Sequence, residues 1–410
     1  MTHRHRWRGL RVGWLACVLL VAVACGTTQV PTVVPTVTPS RSASPTASPP
    51  ITLAQRIDAY IAHLTPTQQI GQLLMLSVYT SAYSGSLNQP LQQWDIANVI
   101  VYNQYNGGPL RPTTLTGMTQ LVHALHSHAN QPLIVATDEE GGLVDRLAPY
   151  DGASPSPQSL AATGDPQHAY AQAQLDAQRL SAVGINTDFA PLADVYQGGA
   201  VAQSRMFGTT PAQVVLYAGA FLDGLQQHGI AGTLKHWPGL GASPANPDFG
   251  LPTVTHSQAQ LNSVDFASFR ALLAHAPDMI MATHVLVPAY DAHLPASLSP
   301  VLIDGVLRQQ LGYQGVVVTD SMDAQGLLQF MAQQGIANPA QAIALASVEA
   351  ILAGNDIVEC PIETDRLGAV VAAVTSAVQS GRITPERLHQ SLVRIIALKA
   401  HLGLITLPLH

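Results

Sequence analysis

The stretch Gly-Val-Val-Val-Thr-Asp-Ser-Met at positions 315–322 is the most informative part of this chain. Residues 316–318 are apolar at consecutive positions, which is typical of a parallel β-strand that is covered on both faces. The run ends at the carboxylate of Asp320, and α/β folds place their chemistry at the carboxyl ends of such strands. Asp320 is therefore a candidate catalytic group, although an aspartate here can equally cap a following helix.

Short apolar runs of this kind recur along the chain, separated by longer segments with helical spacing. The eight candidate strands are residues 73–76, 99–102, 133–137, 186–189, 232–235, 279–283, 316–319 and 356–358. The candidate helices are residues 169–183, 212–228, 261–274, 340–353, 367–379 and 385–401. The alternation predicts an α/β fold, a single-domain (β/α)8 TIM barrel, because no glycine-rich phosphate loop follows the first strand to favour an open doubly wound sheet.

The first 50 residues differ in composition from the rest of the chain. Four arginines precede an apolar stretch that is too short to span a bilayer, which indicates an export signal. The stretch ends Ala-Val-Ala-Cys-Gly and is similar to a bacterial lipobox, so residues 1–25 are interpreted as a lipoprotein signal peptide with Cys25 as the lipidated residue. Cleavage as an ordinary signal peptide is the alternative. Residues 26–50 are rich in Thr, Ser and Pro and predict a disordered linker.

Residues 51–410 are long enough for one barrel, and their composition excludes some classes of function. The whole chain has a net charge of -7 despite its basic leader, so we expect no nucleic-acid partner. Only one cysteine, Cys360, lies in this part, so a disulfide within it is impossible. The histidines lack metal-ligand spacing such as His-Glu-X-X-His, and we expect neither a metal nor a cofactor.

Polar residues follow most of the candidate strands. They are Asp138 after the third, Asp188 and Asp194 around the fourth, Lys235 and His236 at the fifth, His284 at the sixth and Asp320 at the seventh. Each could be a helix cap or a satisfied core polar group. In a barrel, however, the carboxyl ends of all strands meet at one rim, so these residues are expected to converge on one pocket.

Five motifs, in a fixed order along the chain, indicate a protein family. They are Ala-Thr-Asp-Glu-Glu-Gly-Gly-Leu-Val-Asp-Arg at 136–146, Asn-Thr-Asp-Phe-Ala-Pro at 186–191, Arg-Met-Phe-Gly at 205–208, Lys-His-Trp-Pro-Gly at 235–239 and Val-Thr-Asp-Ser-Met at 318–322. Together they resemble glycoside hydrolase family 3, in particular its single-domain bacterial exo-acting β-N-acetylglucosaminidases. The resemblance runs from about residue 53 to 402. The larger β-glucosidases of the family add a second domain, for which this chain has no room.

The resemblance implies that Asp320 is the nucleophile of a retaining reaction, which forms a covalent glycosyl-enzyme that water resolves. The residues that match the family's sugar-binding positions are Asp138, Arg146, Arg205, Lys235 and His236. Either Glu139 or Glu140 is expected to be a structural partner of these cations. The glycines at 141 and 142 allow a close backbone approach or form a plain turn.

The sequence departs from the family at the general acid/base. The family branch has an Asp-X-His motif after the Lys-His motif, whereas this chain reads Asn246-Pro247-Asp248. Asp248 is therefore the candidate acid/base, provided that burial raises its pKa. His256 or His284 could substitute, or the protein could bind sugar with little turnover.

The function expected from these observations is hydrolysis of β-linked N-acetylglucosamine in cell-wall or chitin-type glycans. The substrate would be an oligosaccharide or peptidoglycan fragment, met by an exported protein that is lipid-anchored to the outer face of the membrane. A family 3 glycosidase of other sugar specificity and a tethered sugar-binding lipoprotein remain alternatives. An aldolase with a Schiff base on Lys235 is disfavoured, because neighbouring acids such as Asp138 favour the charged amine.

Overall fold

Eight parallel strands form the centre of the fold in the computed structural model, which describes residues 51–102, 112–361 and 363–409. The expected signal peptide with Cys25 and the expected linker lie outside the described residues. In chain order the strands are β1 Leu74–Val78, β2 Asn98–Val101, β3 Ile134–Thr137, β4 Thr187–Asp188, β5 Ala231–Trp237, β6 Met279–Ala282, β7 Val316–Thr319 and β8 Val358–Cys360.

Consecutive strands from β1 to β7 pair in parallel, and β8 pairs in parallel with β1. The remaining gap, between β7 and β8, is bridged at Val318 and Ile357, where Thr319 donates its backbone N–H to the Ile357 carbonyl at 3.0 Å. The sheet therefore closes on itself, and the (β/α)8 barrel predicted from the sequence is confirmed.

Helices connect the strands on the outside. The α-helices are α1 Leu53–His63, α2 Pro66–Gln72, α3 Leu115–His128, α4 Ala148–Asp151, α5 Pro157–Ala162, α6 Pro166–Val183, α7 Pro211–Gln226, α8 Gln258–Gln260, α9 Phe266–Leu272, α10 Gln325–Gln333, α11 Pro339–Ala353, α12 Thr364–Gln379 and α13 Pro385–His401. Shorter 3₁₀ segments are Gly85–Leu87, Gln203–Arg205, Leu273–His275 and Ala296–Leu298, and π-helical segments are Gln89–Gln93, Leu261–Asp265 and Val301–Gln310. None of the helices in the described part of the chain is both long and apolar enough to cross a membrane.

Several helices begin earlier than their apolar periodicity predicts, because a capping residue followed by proline starts them. The helix expected from residue 169 begins at Pro166, where Asp165 accepts a hydrogen bond from the Gln167 backbone N–H at 2.9 Å. One predicted helix is wrong as a single element. Residues 261–274 form a π-helical turn, then α9, then a 3₁₀ turn.

The consecutive apolar residues in the strands serve two cores. In β7, Val316 and Val318 point into the barrel, where they join Met75 and Phe189. Val317 belongs to the larger core between the sheet and the helices. Burial on both faces explains why the strand has no polar alternation.

Lys399 of α13 holds together the end of the barrel at which the strands begin. The buried ammonium of Lys399 donates to Gln72 Oε1 at 2.6 Å, to the Ala97 carbonyl at 2.9 Å and to the Pro132 carbonyl at 2.8 Å. The last helix is thereby fixed to the segments that precede β1, β2 and β3.

The strand ends differ from the predicted ones where side chains outside the sheet determine them. The eighth strand starts at Val358, two residues later than predicted. Asp356 lies before it because side chains outside the sheet bind its carboxylate. Asp356 is buried and accepts from Arg308 Nη2 at 2.6 Å and from Arg394 Nη1 at 3.0 Å. The fifth strand extends to Trp237, so that His236 lies within β5.

Candidate active site

A cavity of about 930 Å³ opens at the carboxyl ends of the strands. All seven residues that the sequence assigns to catalysis or sugar binding line it: Asp138, Arg146, Arg205, Lys235, His236, Asp248 and Asp320. They come from the ends of β3, β5 and β7 and from the loops that follow β3, β4 and β5. Residues as far apart as 138 and 320 therefore share one site, as the barrel predicts.

Asp320 follows β7 directly and is held by hydrogen bonds to both carboxylate oxygens. Thr283 donates its hydroxyl to Oδ2 at 2.8 Å, and the Ser321 backbone N–H donates to Oδ1 at 2.9 Å. Burial acts to raise the pKa of Asp320, but the charges of His284 and His236 and these two hydrogen bonds outweigh it, so the pKa is lowered from its ordinary value. Asp320 is therefore an oriented, ionised carboxylate at neutral pH.

Asp248 lies in the loop after β5, is exposed to solvent and lines the cavity. Asn246 Nδ2 donates to Asp248 Oδ2 at 3.1 Å, and the Asp248 backbone N–H donates to Asn246 Oδ1 at 3.0 Å. Partial desolvation first, and then the negative charge of Asp320, raise the pKa of Asp248, although the Asn246 hydrogen bond lowers it. Although Asp248 is on an exposed loop, its pKa is shifted in the direction that an acid catalyst needs.

A buried network of charges occupies one side of the cavity. Lys235 Nζ lies 2.7 Å from Asp138 Oδ1 and 2.7 Å from Glu140 Oε1. Arg205 donates two hydrogen bonds to the carboxylate of Glu140, at 2.7 and 2.6 Å. Burial acts to lower the pKa of Lys235, but Asp138 and Glu140 raise it above its ordinary value. Lys235 is therefore a charged hydrogen-bond donor, which argues against the Schiff-base alternative.

Arg146 and His236 complete the polar wall. Arg146 Nη2 lies 3.4 Å from Asp138 Oδ2, and the guanidinium lies 5.5 Å from the centre of the Tyr102 ring. His236 Nδ1 lies 2.7 Å from Asp194 Oδ2, and the Leu240 backbone N–H donates to the other oxygen of Asp194 at 2.7 Å. Asp194 is buried and does not line the cavity, so the expectation that it reaches the pocket is wrong. It instead orients the imidazole and anchors the loop that leads towards Asp248.

The two glutamates after Asp138 have different roles. Glu140 pairs with the cavity cations, whereas Glu139 is fully buried behind the cavity, where its Oε2 accepts backbone N–H groups from Arg146 at 2.7 Å and Leu147 at 3.0 Å. Asp188 also lies outside the cavity lining and accepts the Glu139 backbone N–H at 2.8 Å. Asp188 therefore positions the segment after β3, and the expectation that it reaches the pocket is wrong.

The segment after β3 is a hairpin, which we call the site hairpin, made of Glu139–Gly141 and Val144–Asp145. Its turn has positive φ at Gly141 (82°) and Gly142 (63°). A Cβ on Gly141 would lie 2.3 Å from the Pro155 carbonyl oxygen. The glycines thus form a turn that packs against the protein's own backbone.

The two histidines considered as substitute acids are both engaged elsewhere. His284 is buried, with Nδ1 2.7 Å from the Ser297 hydroxyl and Nε2 2.9 Å from the Ser321 carbonyl oxygen. His256 Nδ1 lies 3.0 Å from Asp265 Oδ2. Neither lines the cavity, so the expectation that His284 joins the pocket is wrong, and Asp248 is the better candidate for the acid.

The cavity also contains residues that the sequence analysis did not single out. They are Tyr79, Tyr102, Asp323, Glu359 and Arg366. Glu359 directly follows the predicted eighth strand, so the rule that identified Asp320 would have found it. Within residues 51–102, 112–361 and 363–409, no three or more His, Cys, Asp or Glu side chains form a group that could hold a metal.

Comparison with known proteins identifies relatives of this chain. Beta-hexosaminidase LpqI of Mycobacterium tuberculosis is 31% identical over 349 residues, which cover 82% of this chain and 84% of that protein. Beta-hexosaminidase A of Pseudoalteromonas piscicida is 29% identical over 381 residues, covering 83% and 62% of the two chains. The structure of a glycoside hydrolase family 3 beta-N-acetylglucosaminidase from Paenibacillus sp. str. FPU-7 superposes with a TM-score of 0.75 at 31% identity, covering 84% and 65%. This chain spans less than two thirds of the Pseudoalteromonas and Paenibacillus proteins.

Residues 65–398 match the family model described as the glycosyl hydrolase family 3 N terminal domain. The match includes all five motifs and every residue assigned to the site. It confirms the resemblance inferred from the sequence, and the chain belongs to glycosyl hydrolase family 3.

Proposed function

We propose that this protein is an exo-acting, retaining hydrolase of β-linked N-acetylglucosamine in cell-wall or chitin-type glycans. The observation that carries the proposal is the pair Asp320 and Asp248, which line one cavity and whose pKa values are shifted in opposite directions. A glycosidase uses two carboxyl groups whose pKa values differ in this way, one as the nucleophile and the other as the acid.

In the proposed reaction, Asp320 attacks the anomeric carbon while Asp248 gives its proton to the departing glycosidic oxygen. A water then enters, gives a proton to Asp248 and its oxygen to the anomeric carbon, and the bond to Asp320 breaks. The net configuration at the anomeric carbon is retained. Asp248 suits this exchange because it contacts solvent, whereas Asp320 is fixed by Thr283 and Ser321.

The charged wall is proposed to hold the non-reducing sugar. Asp138 would accept hydrogen bonds from sugar hydroxyls, and Lys235, Arg146, Arg205 and His236 would donate to sugar oxygens. The ion pairs among these residues fix their positions before the sugar arrives, which lowers the entropy cost of binding. The sugar identity is supported by the names of the relatives, two beta-hexosaminidases and a beta-N-acetylglucosaminidase.

Export and anchoring are part of the same proposal. The basic and apolar leader and the lipobox-like ending at Cys25 support a lipid-anchored protein that meets its glycan outside the membrane. Replacement of Cys25 by Ala should release the protein from the membrane fraction. Mass spectrometry of the mature amino terminus should find a lipid on Cys25, and a terminus cleaved elsewhere without lipid would contradict anchoring.

The test of function is a panel of nitrophenyl glycosides measured across pH with the wild type and with Asp320→Ala. We expect the N-acetylglucosaminide to be the best substrate and Asp320→Ala to be inactive on it. A fluorinated sugar should label Asp320 in the wild type. Saturable binding of N-acetylglucosamine without turnover of any nitrophenyl sugar would instead identify a tethered binding protein, the function that the missing family histidine favours.

A further inference from the structure

Glu359 is a buried carboxyl group at the floor of the cavity. It belongs to β8 and is only 1% exposed. Tyr102 donates its phenol hydroxyl to Glu359 Oε1 at 2.6 Å, and Ser77 donates its hydroxyl to the same oxygen at 3.1 Å. The Glu359 backbone N–H donates to Thr319 Oγ1 at 3.1 Å. Ser77 of β1 and Tyr102, which follows β2, thus hold the side chain, while Thr319 of β7 holds its backbone.

The second oxygen of this carboxyl group, Oε2, has no hydrogen-bond partner among the residues that the structure describes, while Glu359 lines the cavity. An oxygen without a protein partner on a residue that lines a cavity is available to a ligand or to water. Since Oε1 already accepts two hydrogen bonds, a proton on this group belongs on Oε2. Burial first, and then the charges of Asp320, Asp138 and Asp323, raise the pKa of Glu359 to about 8, although the Tyr102 hydrogen bond lowers it.

The aromatic neighbours make the position rigid. Tyr102 stacks on Tyr79 with ring centres 4.6 Å apart and planes 5° from parallel, and both rings line the cavity. The stack fixes the phenol that holds Glu359. A preorganised donor at the floor, beside the nucleophile, is an arrangement that recognises one oxygen of a bound sugar.

We propose, resting on the function proposed above, that Glu359 is a specificity-determining residue whose Oε2 hydroxyl donates a hydrogen bond to an oxygen of the sugar held against Asp320. Glu359 is not the acid catalyst. The second step of the reaction needs exchange with solvent water, and Asp248 is open to solvent whereas Glu359 is almost completely enclosed.

The experiment compares Glu359→Leu and Glu359→Gln with the wild type. The substrates are the nitrophenyl N-acetylglucosaminide, a set of deoxy analogues that each lack one hydroxyl, and a 2-deoxy analogue that lacks the acetamido group. Glu359→Leu should lower kcat/KM by about tenfold, the effect of one lost hydrogen bond in a water-excluded site. With the wild type, one deoxy analogue should have a kcat/KM about tenfold lower than the parent substrate. With Glu359→Leu, that analogue and the parent substrate should have the same kcat/KM. The hydroxyl missing from this analogue identifies the oxygen that is recognised. Glu359→Gln keeps an uncharged donor and should stay within about threefold of the wild type.

A pH profile gives a second readout. In the wild type kcat/KM should fall on the alkaline side with a midpoint near 8, as the proton leaves Glu359. This limb should vanish in Glu359→Gln, which also serves if Glu359→Leu fails to fold. The control is Glu349→Gln, the same chemical change at an exposed site on α11, and it should follow the wild-type profile.

The proposal is overturned if both Glu359 variants match the wild type on every analogue and at every pH. It is also overturned if Glu359→Gln is inactive on poor leaving groups but active on nitrophenyl sugars, because Glu359 would then be the acid catalyst. If the wild type turns over no sugar, the proposed function fails separately. Calorimetric binding of N-acetylglucosamine then decides the role of Glu359, since equal affinity in wild type and Glu359→Leu, or no affinity in either, overturns it.

Discussion

At the scale of single residues, the state of Asp320 depends on a hydrogen bond from Thr283. This bond lowers the pKa of Asp320, so its removal should raise that pKa. Asp320 must be ionised to attack, and activity is lost as pH falls through its pKa. Thr283→Val, which keeps the side-chain shape, should therefore move the acidic midpoint of kcat/KM to higher pH.

The measurement is kcat/KM for an activated aryl glycoside between pH 3 and 8. The control is Ser347→Ala, which removes a buried hydroxyl of α11 that donates to the Ile343 carbonyl at 2.8 Å. Ser347 does not line the cavity. The midpoint of this variant should equal that of the wild type. An unchanged midpoint in Thr283→Val would show that Asp320 does not control the acidic limb.

The second residue-scale prediction concerns Asp248 and the leaving group. Asp248→Asn cannot give a proton, so hydrolysis of chitobiose should fall by about 10²- to 10⁴-fold. A nitrophenolate leaves without protonation, so the nitrophenyl sugar should be affected far less in the first step. Azide, which needs no base, should restore turnover of the nitrophenyl substrate.

Steady-state kinetics on both substrates checks this split. Asn246→Ala is the matched variant, because it removes a hydrogen bond that lowers the pKa of Asp248 and leaves the carboxyl group in place. It should shift the pH profile without separating the two substrates. Equal losses on both substrates in Asp248→Asn would remove the acid assignment.

At the scale of elements, the sequence predicts the barrel because its strands are buried on both faces and read as apolar runs. It predicts the ends less well, since they depend on distant partners. Asp356 lies outside β8 because Arg308 and Arg394 hold it, and His284 is turned away from the cavity by Ser297. Such contacts join residues that no local pattern relates.

The candidate site was predictable to the extent that it lies at strand ends and in recurring motifs. The position of Glu359 at a strand end could have been found by the same rule as Asp320, but its hydrogen bonds to Ser77 and Tyr102 could not, because these residues precede it by 282 and 257 positions. The sequence also could not tell whether the Asp248 loop leaves that group in the cavity or outside it. Docking of the loop on α10, where the Gly326 N–H donates to the Pro247 carbonyl at 2.9 Å, settles its place in the structure.

The site hairpin gives an element-scale prediction. Gly141→Ala places a methyl group 2.3 Å from the Pro155 carbonyl oxygen at a φ of 82°, so the hairpin must shift. Glu140 is on this hairpin and Arg146 directly follows it. Their displacement should reduce activity by about tenfold or more, since misplacement by about 1 Å is costly. Gly164→Ala also has a positive φ of 77° but nothing within 4 Å of the added methyl.

Thermal unfolding and kcat/KM separate the two effects. Gly164→Ala should lose only the strain of a left-handed residue, about 1–2 kcal/mol of unfolding free energy, and keep full activity. Gly141→Ala should lose more stability and also activity. If Gly141→Ala behaves like Gly164→Ala in both measurements, close packing of the hairpin is not what positions Glu140 and Arg146.

At the scale of the whole molecule, the barrel contains a buried group of acids behind the cavity. Glu139, Asp176 and Asp188 are each fully buried, and Arg179 contacts the group from one side, with Nη1 3.2 Å from Asp176 Oδ1 and 3.6 Å from Glu139 Oε1. One guanidinium cannot neutralise three carboxylates. Burial first, and then the charges of Asp145, Asp176 and Asp188, raise the pKa of Glu139 to about 10. The folded protein therefore keeps a proton on Glu139 at neutral pH.

This proton should make the fold sensitive to alkali. The unfolded chain loses it near the ordinary glutamate pKa of 4.5, whereas the folded protein holds it up to about 10. Between these values the folded state binds more protons than the unfolded state, so the unfolding free energy falls as pH rises, by up to about 1.4 kcal/mol per pH unit for one proton.

Glu139→Gln has no such proton and can keep an amide oxygen for the Arg146 and Leu147 N–H groups. Denaturant unfolding at pH 5, 7 and 9 should show the variant gaining stability relative to the wild type at each step, while Glu349→Gln, exposed on α11, follows the wild type. Parallel curves for wild type and Glu139→Gln would mean that Glu139 is ionised in the folded protein and that another acid of the group holds the proton, such as Asp188, whose pKa burial also raises.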